Sequence, residues 1–368
     1  MPQRSNEIDV LRLAALVGIC VVNIPVMAQS TAAFFFPPDA LIDRLGVFFV
    51  AGFFQLKFFL LFSFVFGWGV HIQARSALRR GQSFKQRYFR RMVGLALLGA
   101  MHAVFVFNGD ILLPYALLGC VFWFVRDYSV MRLLSLVKWM VPLSMCCLFL
   151  FAVLLEMAEL DDKSLMNSWD SGRGENFLDA TSARILNWPA AFTFIILVQG
   201  PLVFGSFAVG LAAAKADFFT QTRSLVDLLH EKLALLLVVA VPLNLLYAGT
   251  ISGLIPEQWE ILELIGFVFI PIGAPALTAV YIYLFLRFSK GRNIPLLFIQ
   301  AGQNSLSTYV LQGVIAGFFF SAYGLGYYNT MGQSRLLPVS VVIAGISILI
   351  AGLYARLFGR GPLEPLLR

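Results

Sequence analysis

Apolar residues gather in ten long runs separated by short polar stretches. The runs cover residues 11–29, 45–71, 92–107, 111–125, 133–157, 188–213, 233–251, 261–286, 297–320 and 337–357. A helix that crosses a bilayer needs about 20 apolar residues, and the runs are of that order. The pattern predicts an all-α, polytopic transmembrane helical bundle of about ten helices. Gly52, Gln55 and Lys57 interrupt the second run, which predicts a kink there. No internal repeat is evident and no stretch reads as a soluble domain. Residues 1–368 are therefore expected to form a single transmembrane domain. Helices 1–8 fall in residues 1–290, and helices 9–10 with the tail Gly361-Pro362-Leu363-Glu364 in residues 291–368.

Composition strengthens this reading. Hydrophobic residues make up 59% of the chain and charged residues only 13%, against about 25% charged in an ordinary soluble domain. The mean hydropathy of +0.82 belongs to the whole chain, not to one anchor. The N-terminus imitates a signal peptide, with Arg4 and Arg12 ahead of an apolar stretch. A secretory core is uniformly apolar, whereas this one opens on Asp9 and Arg12 and contains Asn23, so it reads as a retained first helix.

The net charge is +7. In a soluble protein that would raise nucleic acid as a partner; here no nucleic acid is expected, because the basic residues sit where they set orientation. Of the 27, 21 fall in alternate loops, including the run from Arg75 to Arg91. Six lie on the other side: Arg44, Lys57, Lys163, Arg173, Arg184 and Arg335. The positive-inside rule then puts both termini in the cytoplasm, which requires an even helix count. The expected location is a bacterial cytoplasmic (inner) membrane, with the lipid bilayer as the main partner. Cys20, Cys120, Cys146 and Cys147 all lie in apolar runs and read as small hydrophobes, with no metal or disulfide spacing. The longest outer loop, residues 158–187, is acidic and is expected to be a solvated cover or a short interfacial helix.

Ionisable residues inside membrane spans are costly and therefore candidates for function. Asp9 and Arg12 are spaced i, i+3 and share a helix face; a structural ion pair and an anionic donor site are both open. His102 lies about two to three turns from Asp110, and Asn23 a comparable distance from Gln29, so the histidine and the amide are expected at similar depth near the outer face. Histidine is the side chain best suited to general-base work near neutral pH, although helix packing explains a lone one equally well. Lys57 is deep, with Gln55 nearby, and is expected to snorkel or to pair with a carboxylate. His71 and His230 read as surface residues. The ninth run opens Gly302-Gln303-Asn304-Ser305-Leu306-Ser307-Thr308-Tyr309 and continues to Gln312, which suits close helix packing or a polar cavity. No nucleotide loop, zinc spacing or nucleophile elbow is present.

The order of these pieces resembles the YeiB-like membrane proteins, a family with a domain of unknown function at its C-terminal end. The matching segments are Asp9-x-x-Arg12 with Val22-Asn23-Ile24-Pro25, Lys57-Phe58 through Phe66-Gly67-Trp68-Gly69, Gly99-Ala100-Met101-His102, and Gly109-Asp110-Ile111-Leu112 with Tyr115. The stretch Gly302 to Gln312, the turn at Tyr323-Gly324-Leu325-Gly326 and the Gly361-Pro362-Leu363-Glu364 tail complete them. Leu13 and Pro365 depart from the family, where glycine and an aromatic are usual. More distantly the chain resembles transmembrane acyltransferases such as heparan-alpha-glucosaminide N-acetyltransferase. That resemblance implies acyl transfer from cytosolic acetyl-CoA, or a similar acyl-CoA, to an acceptor across the membrane, with no bound cofactor and no metal. Those enzymes use a histidine shortly after the asparagine, and residues 24–44 here hold none. His102 is then expected as base, Asp110 as its orienting group and Asn23 as oxyanion donor. Asp9, Arg12, Lys57, Tyr115, Ser305 and Gln312 are expected to bind substrate. A transporter of a small metabolite and a structural partner of another complex are the alternatives, and assembly as a homo-oligomer is left open.

Overall fold

A computed structural model describes residues 6–157, 170, 175–217, 225–290 and 292–367. Along the chain run α1 (Asn6–Ala28), α2 (Ala32–Phe35), α3 (Leu41–Phe53), α4 (Lys57–Arg79), α5 (Phe84–Phe105) and α6 (Leu112–Phe122). They are followed by α7 (Val130–Met157), α8 (Phe177–Phe194), a π-turn at Ile195–Gln199, α9 (Gly200–Lys215) and α10 (Leu225–Glu231). Then come α11 (Leu233–Ser252), α12 (Glu260–Ser289), α13 (Leu296–Gln303), α14 (Ser305–Phe320) and α15 (Gln333–Phe358). No strand occurs among the described residues. Each of the ten apolar runs lies mainly on helix.

Seven helical stretches among the described residues are long and apolar enough to cross a membrane: Glu7–Ala28, Leu41–Arg79, Val130–Met157, Phe177–Lys215, Leu233–Ser252, Glu260–Ser289 and Gln333–Phe358. The remaining passes are shorter or begin on a basic turn. The long stretches carry an apolar surface, as at Trp139 and Ile261, which are 74% and 77% exposed. Water would leave that band unpaid, whereas lipid tails solvate it and force backbone polar groups into helices. In α7 the only buried residues are Leu133, Ser144 and Leu148, so most of this helix faces outward. The chain is a multi-pass helical membrane protein.

Three passes are interrupted. The second breaks between α3 and α4, where Leu56 takes a positive φ of 70°. Lys57 follows the break and is 0% exposed. Its Nζ donates to the Ala51 carbonyl at 2.7 Å and lies 5.5 Å from the Tyr247 ring centre. An ammonium on the last turn of α3 compensates the negative end of that helix. Lys57 thus neither snorkels nor meets a carboxylate among its hydrogen bonds and ion pairs; the backbone of the break takes its charge. The ninth pass breaks at Asn304, between α13 and α14. The sixth begins at Phe177, earlier than its apolar run, because the Asn176 side chain accepts from the Leu178 and Asp179 N–H groups and caps it. Residues 158–169 and 171–174 of the outer loop, where a solvated cover or an interfacial helix was expected, lie outside the described residues.

The core gathers on α4 and α9. Phe66 and Phe207 stack at 4.5 Å, and Tyr115 meets both edge-on. Reciprocal glycines permit this approach: a Cβ on Gly67 would come 2.0 Å from the Phe207 carbonyl oxygen, and one on Gly210 2.0 Å from that of Phe64. Small residues let membrane helices touch backbone to backbone. Both chain ends collect at one end of the bundle, called inner below. Gln303 donates to Asp9 at 2.9 Å, and the Gly361 N–H to Asn304 at 2.8 Å. Glu364 accepts from the Ser307 N–H at 3.0 Å and from its hydroxyl at 2.5 Å, so the tail folds back and caps the first turn of α14.

Candidate functional site

The turn Phe107-Asn108-Gly109 reverses the chain after α5 and brings Asp110 back to His102. Asp110 Oδ2 accepts from the Leu112 N–H at 2.7 Å and the Leu113 N–H at 3.2 Å, capping α6. Its Oδ1 lies 2.9 Å from His102 Nδ1 and accepts from the Tyr309 hydroxyl at 3.3 Å. A carboxylate only accepts, so the pair places the imidazole proton on Nδ1 and leaves Nε2 as an acceptor. Nε2 is buried and has no hydrogen-bond partner among the described residues. It faces Gly313 on α14, where a Cβ would sit 2.4 Å away; only glycine leaves the nitrogen clear. His102 is 4% exposed and Asp110 2%.

Tyr309 joins this pair to a cavity of about 200 Å³ toward the inner end. Arg12, Gln73, Arg91, Tyr115, Ser305 and Tyr309 contribute its polar lining, with Phe62, Phe66, Leu95 and Leu306 among the apolar walls. Arg12 donates to Asp9 at 2.8 Å, so the expected pair forms, and Asp9 is 1% exposed. Arg91 lies 5.0 Å from the Phe66 ring centre, with no hydrogen bond or ion pair reaching its guanidinium among the described residues. Tyr115 is bound to Ser63 at 2.6 Å and to the Phe59 carbonyl at 3.1 Å, which fixes its ring in the cavity wall.

The expected site residues therefore divide. His102 and Asp110 touch, and Arg12, Tyr115 and Ser305 share one cavity with Tyr309. Asp9 stands behind Arg12. Gln312 sits apart, donating to the Leu16 carbonyl at 3.3 Å, with its Oε1 buried and without a partner among the described residues. Lys57 belongs to the α3–α4 break. Asn23 makes no hydrogen bond through its side chain among the described residues. It lies three and four residues before Val26 and Met27, which line a smaller outer cavity with Val106 and Gly317, and residues so spaced share a helix face. Sequence reasoning missed Arg91, which was one of a run of basic residues, and Tyr309, which read as part of a packing stripe. The hydroxyl at the fifth position of α14, one turn before Gln312, was the available signal for Tyr309.

The geometry defines a bundle with a buried His–Asp pair between an inner and an outer cavity. The family described as "Protein of unknown function (DUF418)" matches residues 213–368. The chain is 27% identical to "Uncharacterized protein YxaH" of Bacillus subtilis (strain 168), covering 100% of this chain and 94% of that one. It is 24% identical to "Uncharacterized protein YeiB" of Escherichia coli (strain K12), covering 100% of this chain and 96% of that one. No solved structure matches. The resemblance drawn from the motifs is borne out: this multi-pass membrane protein is similar over its whole length to YeiB and YxaH.

Proposed function

We propose that this protein is a membrane-embedded acyltransferase that moves an acetyl-like group from a cytosolic thioester to an acceptor at the outer face. The observation that carries the reading is His102. Its Nδ1 is held by Asp110, its Nε2 is buried without a hydrogen-bond partner among the described residues, and it lies between the cavity that Tyr309 lines and the one that Val106 and Gly317 line. In this reading the inner end is cytoplasmic, in a bacterial inner membrane. Arg12 and Arg91 attract an anionic donor such as acetyl-CoA, and the apolar walls take its acyl arm toward Tyr309. His102 Nε2 accepts the proton of the acceptor hydroxyl or amine as that atom bonds to the thioester carbonyl carbon. The C–S bond breaks, and the departing thiolate takes the proton back. Asn23 is the oxyanion donor in this reading, and the bundle excludes water that would hydrolyse the thioester.

Acetyl-CoA labelled in the acetyl group, mixed with purified protein and membrane or lysate acceptors, tests this. Label should pass to an acceptor with the wild type and not with His102→Gln, which keeps a hydrogen bond but cannot serve as the base. Full transfer with His102→Gln would refute the assignment. Export of a small metabolite is the second reading. The α3–α4 and α13–α14 interruptions favour it, since transporters bind substrate at broken helices. It predicts flux of an unmodified solute with no label transfer.

A further inference from the structure

Arg184, on α8, is 7% exposed and has no acidic partner among the described residues. Its Nη1 donates to the Phe105 carbonyl at 3.1 Å and to the Thr181 hydroxyl at 3.5 Å; its Nη2 donates to the Tyr323 hydroxyl at 3.1 Å. The guanidinium centre lies 5.9 Å from the Tyr323 ring centre. All these partners are neutral, and no carboxylate lies within ion-pair distance of Arg184 among the described residues. Phe105 ends α5, and a helix C-terminus supplies roughly half a negative charge, so a net positive charge remains. A buried cation left in that state is expensive.

Arg184 also lines the outer cavity of about 30 Å³, together with Asn108 and Ser321. That volume suits one compact polar group. Val106 and Gly317 form the wall toward His102: Gly317 is one turn beyond Gly313, the residue that faces His102 Nε2. The level is also set. From Arg184 to Lys215 the rod of α8 and α9 rises about 46 Å at helical pitch, which spans a bilayer with its headgroup regions. The cavity therefore stands at outer headgroup depth, open to supply from water or from the outer leaflet.

We propose that the outer cavity binds a compact oxyanion, a carboxylate or phosphate group of the acceptor, with Arg184 as counter-charge and Asn108 and Ser321 as polar neighbours. Calling the ligand the acceptor rests on the acyl-transfer reading; the anion site does not. An acceptor held by its oxyanion at Arg184 presents its nucleophile along Gly317 and Gly313 to His102. The group belongs either to a soluble acid or to a lipid phosphodiester, and the chemistry at Arg184 is common to both.

The test uses full-length purified protein. Thermal unfolding in neutral detergent is followed with inorganic phosphate and with acetate at constant ionic strength, chloride being the reference. A parallel set uses phosphatidylcholine nanodiscs with and without phosphatidylglycerol. A ligand bound only by the folded state raises the midpoint in a saturable way. The wild type and His102→Gln should respond to a soluble oxyanion, or to phosphatidylglycerol if the source is lipid. Arg184→Gln should bind about 10-fold more weakly or worse, and Arg184→Lys should keep part of the response. Ser321→Asp offers a carboxylate from within, so it should raise the midpoint without ligand and abolish the response; this variant decides the matter if Arg184→Gln folds poorly. An equal response in wild type and Arg184→Gln, a full response in Ser321→Asp, or no response to either source would overturn the site. A response intact in the wild type without any label transfer would leave the site and remove the acyltransferase reading. Label transfer without the response would do the reverse.

Discussion

Replacing Asp110 separates the structural and chemical roles of one carboxylate. It accepts from two backbone N–H groups of α6, from His102 and from Tyr309. In Asp110→Ala all four donors lose their acceptor. Loss of a helix cap costs about 1 kcal/mol, and each buried donor left unsatisfied about 1–3 kcal/mol. The variant should therefore lose about 3–7 kcal/mol of stability, the cap plus the two side-chain donors by those magnitudes. In Asp110→Asn one oxygen still serves α6, and the amide turns its NH₂ toward His102 and Tyr309. Most hydrogen bonds survive, so the loss should stay within about 1–2 kcal/mol. The imidazole must then accept at Nδ1 and carry its proton on Nε2, the atom needed as base. A misplaced tautomer of this kind lowers turnover about 10⁴-fold in a serine protease triad, and a similar loss is expected here. Thermal unfolding and label transfer per folded molecule, measured on the same detergent preparations, give both quantities. Full specific activity in Asp110→Asn, or wild-type stability in Asp110→Ala, would refute the reasoning.

Further expectations concern the bundle itself. Removing Asp9 or Arg12 alone should reduce folded yield more than removing both, because one buried charge is then left without its partner; strictly additive losses would argue against the pair. Gly210→Ala should cost about 1–3 kcal/mol or more by forcing α4 from α9, whereas Gly345→Ala, with nothing within 4 Å of the added carbon, should leave the unfolding midpoint unchanged or higher. Glu364→Ala should lower thermal stability by about 1–2 kcal/mol through loss of the α14 cap, and an unchanged midpoint would show the tail contacts to be dispensable. Reporter fusions after Arg368 and within residues 161–179 should report opposite sides of the membrane.

The apolar runs and the charge deficit determined a multi-pass helical protein, because lipid leaves the backbone no other way to satisfy its polar groups. Composition also determined the Asp9–Arg12 pair, since a spacing of three on a helix is a contact in any fold. The same local logic placed a break near Lys57, but not its partner: the Ala51 carbonyl becomes available only when α3 ends, and helix ends depend on turns and caps. Contacts across the chain were decided by tertiary structure alone. His102 meets Asp110 because the α5–α6 turn reverses direction, and Tyr309 reaches both only when α14 packs there. Arg91 differs from its basic neighbours only in standing over a cavity that α1, α4, α6 and α14 enclose with it. Apolar periodicity tells a helix that it must bury a face or meet lipid. It carries little about which helix will lie against that face, because in a bilayer neighbouring helices and lipid tails are almost equally apolar.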